Sequence, residues 1–230
     1  MILNTKRRIL RSISKLKVLG KPKIFCVGLN KTGTTSLKKL FTKLGYAVGN
    51  QRHAELLMTD YYNNNFNSII KYSKTAQVFQ DAPFSLKETF IHLDKAFPKA
   101  KFILTIRNSS DQWYDSLTKF HSIKFGGGEL PTAQKLKDVD YVYKGWVWEN
   151  ISKLFGTNEF EPYEKERLTK YYDQHNEAII EYFANRPNKL LVINLQEKGS
   201  FSLFCNFLEI KTTLNEFPWE NRTNQMKINK

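Results

Sequence analysis

Residues 23–44 read KIFCVGLNKTGTTSLKKLFTKL. The first seven residues form a short apolar run rich in branched and aromatic side chains, the composition of a strand buried on both faces. Leu37, Leu40, Phe41 and Leu44 then recur at i, i+3, i+4 and i+7, which predicts an amphipathic helix, and Gly45 stands where a helix C-terminal glycine belongs. Between strand and helix lies a loop, residues 28–36, holding two glycines, one lysine and a run of hydroxyl side chains. A strand–loop–helix junction aims the free N–H groups of a helix N-terminus at the loop, where they can hold an anion. Gly28 and Gly33 allow close approach and unusual dihedrals. Thr34, Thr35 and Ser36 add hydroxyl donors.

The same alternation continues along the chain. Residues 77–80, 101–106 (KFILTI) and 190–195 (LLVINL) read as further short strands. Ser85 with Glu88 predicts a capping box before Leu86, Phe90, Leu93 and Phe97, and Pro98 ends that helix. Ser109 with Gln112 predicts another, before Trp113, Leu117 and Phe120. Gly126, Gly127 and Gly128 mark a loop or hinge in the least legible part of the chain, residues 126–162. Within it Tyr143, Trp146, Val147, Ile151, Leu154 and Phe155 predict a helix. Leu168, Tyr172, His175, Ile179 and Phe183 predict another, and residues 199–208 a last one. Apolar strands separated by amphipathic helices predict an α/β fold: a P-loop-type three-layer arrangement, with a central parallel sheet and helices on both faces. The expected organisation is a basic amphipathic arm, residues 1–21, then a single domain, residues 22–230, with a helical insertion near residues 126–186.

Length and composition narrow the possibilities. With 230 residues and 41% hydrophobic side chains, the chain can bury one sizeable core and is not of the disordered class. Its formal net charge is +14, but residues 1–24 carry Lys6, Arg7, Arg8, Arg11, Lys15, Lys17, Lys21 and Lys23 and no acid. The body is only mildly basic, a balance that suits an anionic ligand, a nucleic acid or an anionic membrane surface; a nucleic-acid-binding module is disfavoured because most of the excess charge lies in the first 24 residues and the loop at residues 28–36 would have no purpose in it. The two cysteines, Cys26 and Cys205, fall in apolar runs and read as buried thiols, with no disulfide framework. No run reaches the roughly 18 apolar residues of a membrane-spanning helix.

The loop must be compared with the nucleoside-triphosphate pattern G-x-x-x-x-G-K-[ST]. Gly28 and Gly33 have its spacing, but Thr34 stands where the phosphate-neutralising lysine belongs, and the lysine has moved into the loop as Lys31. A P-loop kinase or other phosphotransferase remains the rival reading. The string Lys31-Thr32-Gly33-Thr34-Thr35-Ser36 resembles the 5′-phosphosulfate loop, K-x-G-T-T, of sulfotransferases that use 3′-phosphoadenosine 5′-phosphosulfate (PAPS). That resemblance implies that Lys31 contacts the transferring sulfonyl group and that Thr32, Gly33, Thr34, Thr35 and Ser36 hold the 5′-phosphate. Residues 101–116, KFILTIRNSSDQWYDS, resemble the family's 3′-phosphate site, which implies that role for Arg107 and Ser116. Their separation is one residue longer than the common R-D-P-x-x-W-Y-x-S form, so Ser109 or Ser110 could take the place of Ser116. Gln80-Asp81-Ala82-Pro83 is similar to the segment that carries the family's general base, a role that falls on Asp81 here. Residues 217–222, FPWENR, resemble the segment that closes over the nucleotide, which adds Arg222.

The resemblance covers most of residues 22–222 and looks closest to bacterial soluble members. It implies a PAPS-dependent enzyme, with no metal, acting on a hydroxyl or amine of a small-molecule or glycan acceptor such as a carbohydrate or glycolipid. Among the histidines His121 is the second candidate for the base. His92 reads as solvated, His175 as a core residue, and His53 as a remaining rival. The expected location is cytoplasmic, with residues 1–20 touching the anionic inner membrane leaflet through their basic and aliphatic side chains. Deleting residues 1–20 is expected to keep nucleotide binding and to abolish co-sedimentation with anionic vesicles at low salt. Full-length protein that ignores such vesicles would remove the membrane role.

Overall fold

The computed structural model of the protein describes residues 18–218. Four strands, β1 (Ile24–Cys26), β2 (Val78–Phe79), β3 (Lys101–Thr105) and β4 (Leu190–Ile193), form one all-parallel sheet in the order β2-β1-β3-β4. Phe25 is in register with Phe79 on one side and with Phe102 on the other, and β4 pairs with β3 from Leu190 opposite Phe102 to Ile193 opposite Thr105. The strand order reverses direction between β1 and β3, so a crevice opens at their carboxyl ends, the usual ligand site of an open parallel sheet.

The apolar runs are continuous because both faces of the sheet are covered. Phe25, Val27, Phe79, Phe102 and Leu104 point into one core, and Ile24, Cys26, Val78, Ile103 and Ile193 into the other. The first core is a phenylalanine stack: Phe25 lies 5.7 Å from Phe79 and 5.5 Å from Phe102, and Phe79 lies 4.8 Å from Phe84. The second packs the sheet against α1 (Thr34–Lys43), through Leu37, Leu40 and Phe41, and against Phe201 and Phe204. Layers on both faces therefore make the expected three-layer α/β fold.

The segment between α1 and β2 folds into three short helices, α2 (Gln51–Glu55), α3 (Met58–Tyr62) and α4 (Phe66–Ser73). Helix α5 (Thr89–Ala96) begins later than the expected capping box at Ser85 and Glu88. Glu88 is left-handed, with φ 66°, and Ser85 N–H donates to Asp81 O, so these residues form a turn instead of a cap. His92 is not simply solvated, because its ring stacks on Phe66 at 3.8 Å. The box at Ser109 and Gln112 does form at the start of α6 (Ser110–His121): Ser109 Oγ accepts from Gln112 N–H at 3.1 Å, and Asn108 N–H donates to Gln112 Oε1 at 3.0 Å.

The chain divides into two compact units. One comprises the residues up to Ile106 together with Ile179–Pro218, and includes the sheet and α10 (Ser200–Leu208). Arg107–Ala178 makes the other, built of α6, a π-helical turn (Ser122–Gly126), α7 (Ala133–Asp138), α8 (Trp146–Phe155) and most of α9 (Lys165–Phe183). The second unit has its own aromatic packing, with Trp113 stacked on Tyr172 at 5.0 Å and Phe155 against Tyr171 at 5.0 Å. Cys26 is fully buried, whereas Cys205 is only half-buried. The basic arm falls outside the described residues except for its end, where Val18 is 3% exposed, so a truncation that spares the core stops at residue 17.

One ionic cluster ties elements of the first unit together. Asp94 on α5 accepts from Arg186 Nη1, from Tyr182 OH at 3.1 Å and from Lys189 Nζ at 2.8 Å. Burial alone would raise its proton affinity, but the bonds from Lys189 and Arg186 outweigh it and hold the carboxyl below its ordinary range. A depressed carboxyl adds stability above the unfolded value, about 3.9, and loses it as pH falls through the folded one. Asp94→Asn should cost about 2 kcal/mol at neutral pH, since Arg186 remains partly exposed and screened. The cost should shrink below about pH 4, and denaturant melts of both proteins between pH 3 and 7 check it.

Candidate active site

The loop after β1 is shaped by contacts made beneath it. Gly28 has an ordinary φ; its lack of a side chain serves packing, because a Cβ there would collide with the backbone and hydroxyl of Thr105 at the end of β3. The close approach that Gly28 allows is one between strands. Thr32 is 1% exposed, and its hydroxyl lies 2.6 Å from both Leu29 O and Thr105 Oγ1, so that side chain is committed to folding the loop. Lys31 adopts φ 70° and Gly33 φ 110°, two left-handed residues that reverse the chain into α1. A left-handed lysine is uncommon and marks a backbone that its surroundings hold in place. Gly33 takes the N-cap position and brings no side-chain cap, so the first-turn amides of Thr34 and Thr35 face the loop without one. A helix N-terminus of this kind, with no acid in its first turn and Lys31 beside it, is fitted to hold an anionic phosphate or sulfonate.

Asp81 follows β2 in the same unit, with φ 53°. Its Oδ2 accepts from Gln80 Nε2 at 3.1 Å, and the Thr34 hydroxyl lies near enough to the carboxyl to favour its ionised form. Oδ1 is sealed from solvent and has no protein donor. Burial pushes this carboxyl up to about 6; the nearby Thr34 hydroxyl opposes the shift, Glu55 adds to it, and Lys31 and Lys38 pull it back down. The sequence places an ionised carboxyl with an ordinary proton affinity here. The structure instead gives one poised near neutrality, the condition under which a carboxylate accepts and returns a proton most readily. Lys31, Thr34 and Asp81 thus come together at the end of the sheet.

Arg107 and Ser116 belong to the helical unit. The Arg107 N–H donates to Tyr172 OH at 2.7 Å, and Tyr172 is itself 2% exposed and stacked on Trp113. Burial lowers the proton affinity of Arg107, yet a guanidinium keeps its charge. Ser116 lies within α6 and is half-buried, and Ser109 is spent on capping that helix. His121 is 6% exposed at the end of α6, with Nδ1 lying 2.8 Å from Tyr163 OH. His175 is 2% exposed, as a core residue is. Arg222 lies outside the described residues. Among the described residues no group of three or more His, Cys, Asp or Glu is arranged to hold a metal ion, and no helix is long and apolar enough to cross a membrane.

Several supporting residues escape a reading of the sequence. Thr105 is the one uncharged polar side chain of β3, and that exception after the apolar residues 102–104 was the available signal. Gln80, Glu55 and Tyr172 carry no local signal, because their roles arise from contacts across the fold.

No curated protein matches the chain in a sequence comparison. The sulfotransferase domain family matches residues 23–226, from the first strand through the last helix and beyond it. With the phosphate-type loop, the parallel sheet and that match over most of its length, the chain belongs to the sulfotransferase family, whose chemistry is sulfonyl transfer.

Proposed function

We propose that the protein transfers the sulfonyl group of PAPS to a hydroxyl or amine of a carbohydrate or glycolipid acceptor. The observation that carries this reading is that Asp81, a carboxyl poised to take a proton, stands within the influence of Lys31 and Thr34 at a helix start fitted to an anion. Thr34 also occupies the position where a phosphotransferase keeps its lysine, which weighs against the kinase reading.

PAPS supplies an activated sulfonyl group on a phosphate leaving group. Lys31 and the amides of Gly33, Thr34 and Thr35 hold the 5′ end and stabilise the charge that grows on the departing phosphate. Thr32 keeps the loop in shape, and Ser36, in the first turn of α1, adds a hydroxyl to the 5′-phosphate. Arg107 takes the 3′-phosphate, a role suited to its planar fork, with Ser116 as the accompanying hydroxyl and Arg222 closing over the nucleotide. Asp81 removes the acceptor proton. Residues 22–230 act as one sulfotransferase-like domain, and the basic arm holds this cytoplasmic enzyme against an anionic leaflet where a lipid-linked acceptor is assembled.

Two outcomes test this. Adenosine 3′,5′-bisphosphate should bind about tenfold to a hundredfold more tightly than ADP, the scale of a lost charge-assisted bond, and Arg107→Ala should erase the difference in calorimetry. Equal affinities in the native protein would overturn the donor assignment. Because the base must be ionised, turnover should fall as pH drops through about 6, the value to which burial pushes Asp81. Asp81→Asn should lower turnover by about a hundredfold or more, flatten that limb of the profile and leave bisphosphate affinity unchanged.

A further inference from the structure

All four strands run the same way, so every segment that enters a strand lies at one end of the sheet, and the loops of the candidate site lie at the other. Contacts stitch the entering segments together. Ile24 N–H donates to Gln77 O at 2.9 Å, Lys101 N–H to Lys23 O at 2.9 Å, and Lys189 Nζ to Pro98 O at 2.7 Å. The face so made is basic. Helices α1 and α5 return to it with the exposed Lys43 and Lys95 in their last turns, and Lys74 caps the end of α4. Lys21 and Lys99, also exposed, stand in the segments that enter β1 and β3. None of these five lysines is in an ion pair among the described residues. The acids at this end are Asp94, already held by Arg186 and Lys189, Glu209, 3.5 Å from Lys101, and the exposed Glu181 on the last turn of α9. Beside Lys21 stands Leu19, 79% exposed, on a turn that Lys21 N–H closes onto Val18 O at 3.3 Å. A lysine at a helix C-terminus complements the helix dipole, which accounts for Lys43, Lys74 and Lys95 but not for Lys21 and Lys99. A lone exposed leucine is ordinary on a protein surface. One set among cations has the composition of an interfacial site, where basic groups meet lipid headgroups and an apolar side chain enters the acyl boundary.

We propose that this face of the sheet unit, with Lys21, Lys43, Lys74, Lys95, Lys99 and Leu19, seats the folded body on an anionic membrane surface. The proposal rests on the membrane role of the arm given above and extends it to the body. Residues 1–17 join the body at Val18, on this face, and bring six more basic residues and no acid. Charge complementarity therefore covers the arm and the face together, and Leu19 lies between them. The orientation follows from the topology. The loop of Lys31 and the turn of Asp81 lie at the carboxyl ends of β1 and β2. Five residues of β3, at about 3.3 Å each, put about 15 Å of strand between that end and the seated face. The crevice thus opens away from the bilayer. A lipid-linked acceptor then presents its reacting group from a glycan that stands off the surface, not from the sugar next to the lipid.

The test uses the full chain and sedimentation with vesicles of mixed phosphatidylcholine and phosphatidylglycerol, at about 0.1 M salt, where charges more than about 10 Å apart are screened. Two variants carry the same change in net charge. Lys21→Glu, Lys74→Glu and Lys99→Glu together reverse the proposed face; Lys119→Glu, Lys124→Glu and Lys170→Glu together reverse exposed lysines of the helical unit. The first should weaken vesicle binding by about a hundredfold, the scale of three basic residues at such a surface, and the second by about threefold or less. Circular dichroism checks that both are folded. Equal loss in the two variants, or tighter binding of the native protein to duplex DNA than to the vesicles, overturns the proposal. Binding that neither variant changes also overturns it and leaves the membrane role with the arm alone. Native protein that ignores the vesicles overturns both. Seating is read separately, so the proposal stays testable if the triple variants do not fold. With Cys205→Ser removing the half-buried thiol, a dye on Leu19→Cys should be quenched by brominated acyl chains, and one on Glu197→Cys, beyond the carboxyl end of β4, should not. Any other pattern overturns the orientation.

Discussion

The site depends on how closely the chain leaving β1 passes the end of β3. There is no room for a methyl group between Gly28 and Thr105, and the Thr105 hydroxyl is bonded to Thr32 one turn further on. That pair of contacts fixes where the loop starts and how deep it sits. Gly33 then turns left-handed under Leu195, whose Cδ1 would lie 2.6 Å from any Cβ placed there, and α1 begins at once. A bulkier residue at position 28 would lift the loop off β3 and point the first amides of α1 elsewhere. The direction of the first amides of α1 is therefore a property of strand packing before it is a property of the loop's own residues.

Burial and charge act together on the other half of the site. The loop's cations, Lys31 and Lys38, pull the Asp81 proton affinity down, while enclosure and Glu55 push it up, and enclosure dominates. Distant ionic contacts do different work. The Asp94, Arg186 and Lys189 cluster joins α5 to the chain entering β4, and so secures the outer strand of the sheet without touching the loop.

Much of this was legible in the sequence because it is local. The run at residues 101–106, the 3.6-residue periodicity of Leu37, Leu40 and Phe41, and the Ser109–Gln112 cap all depend on neighbours in the chain, and all form. The box expected at Ser85 and Glu88 failed for a physical reason. The turn that positions Asp81 continues through Ser85, whose amide is bonded back to Asp81, and Glu88 is left-handed, so α5 starts later. The three helices of residues 51–73 are only five to eight residues long, too short for periodicity to show. The candidate site was legible as a set of residue types, but its support was not. The enclosure of Asp81 and the influence of Thr34, Lys31 and Glu55 on it come from segments far apart in sequence.

The closeness of Asp81 to the start of α1 has a thermodynamic corollary. Thr34 and Lys31 both act on the carboxyl, so charge at the helix start and the proton on Asp81 share a coupling free energy, and such coupling is reciprocal. Negative charge placed at the helix start would raise the proton affinity of Asp81; a proton on Asp81 would, by the same amount, tighten the hold on that charge. Any anion bound there would therefore be held more firmly below about pH 6 than above it.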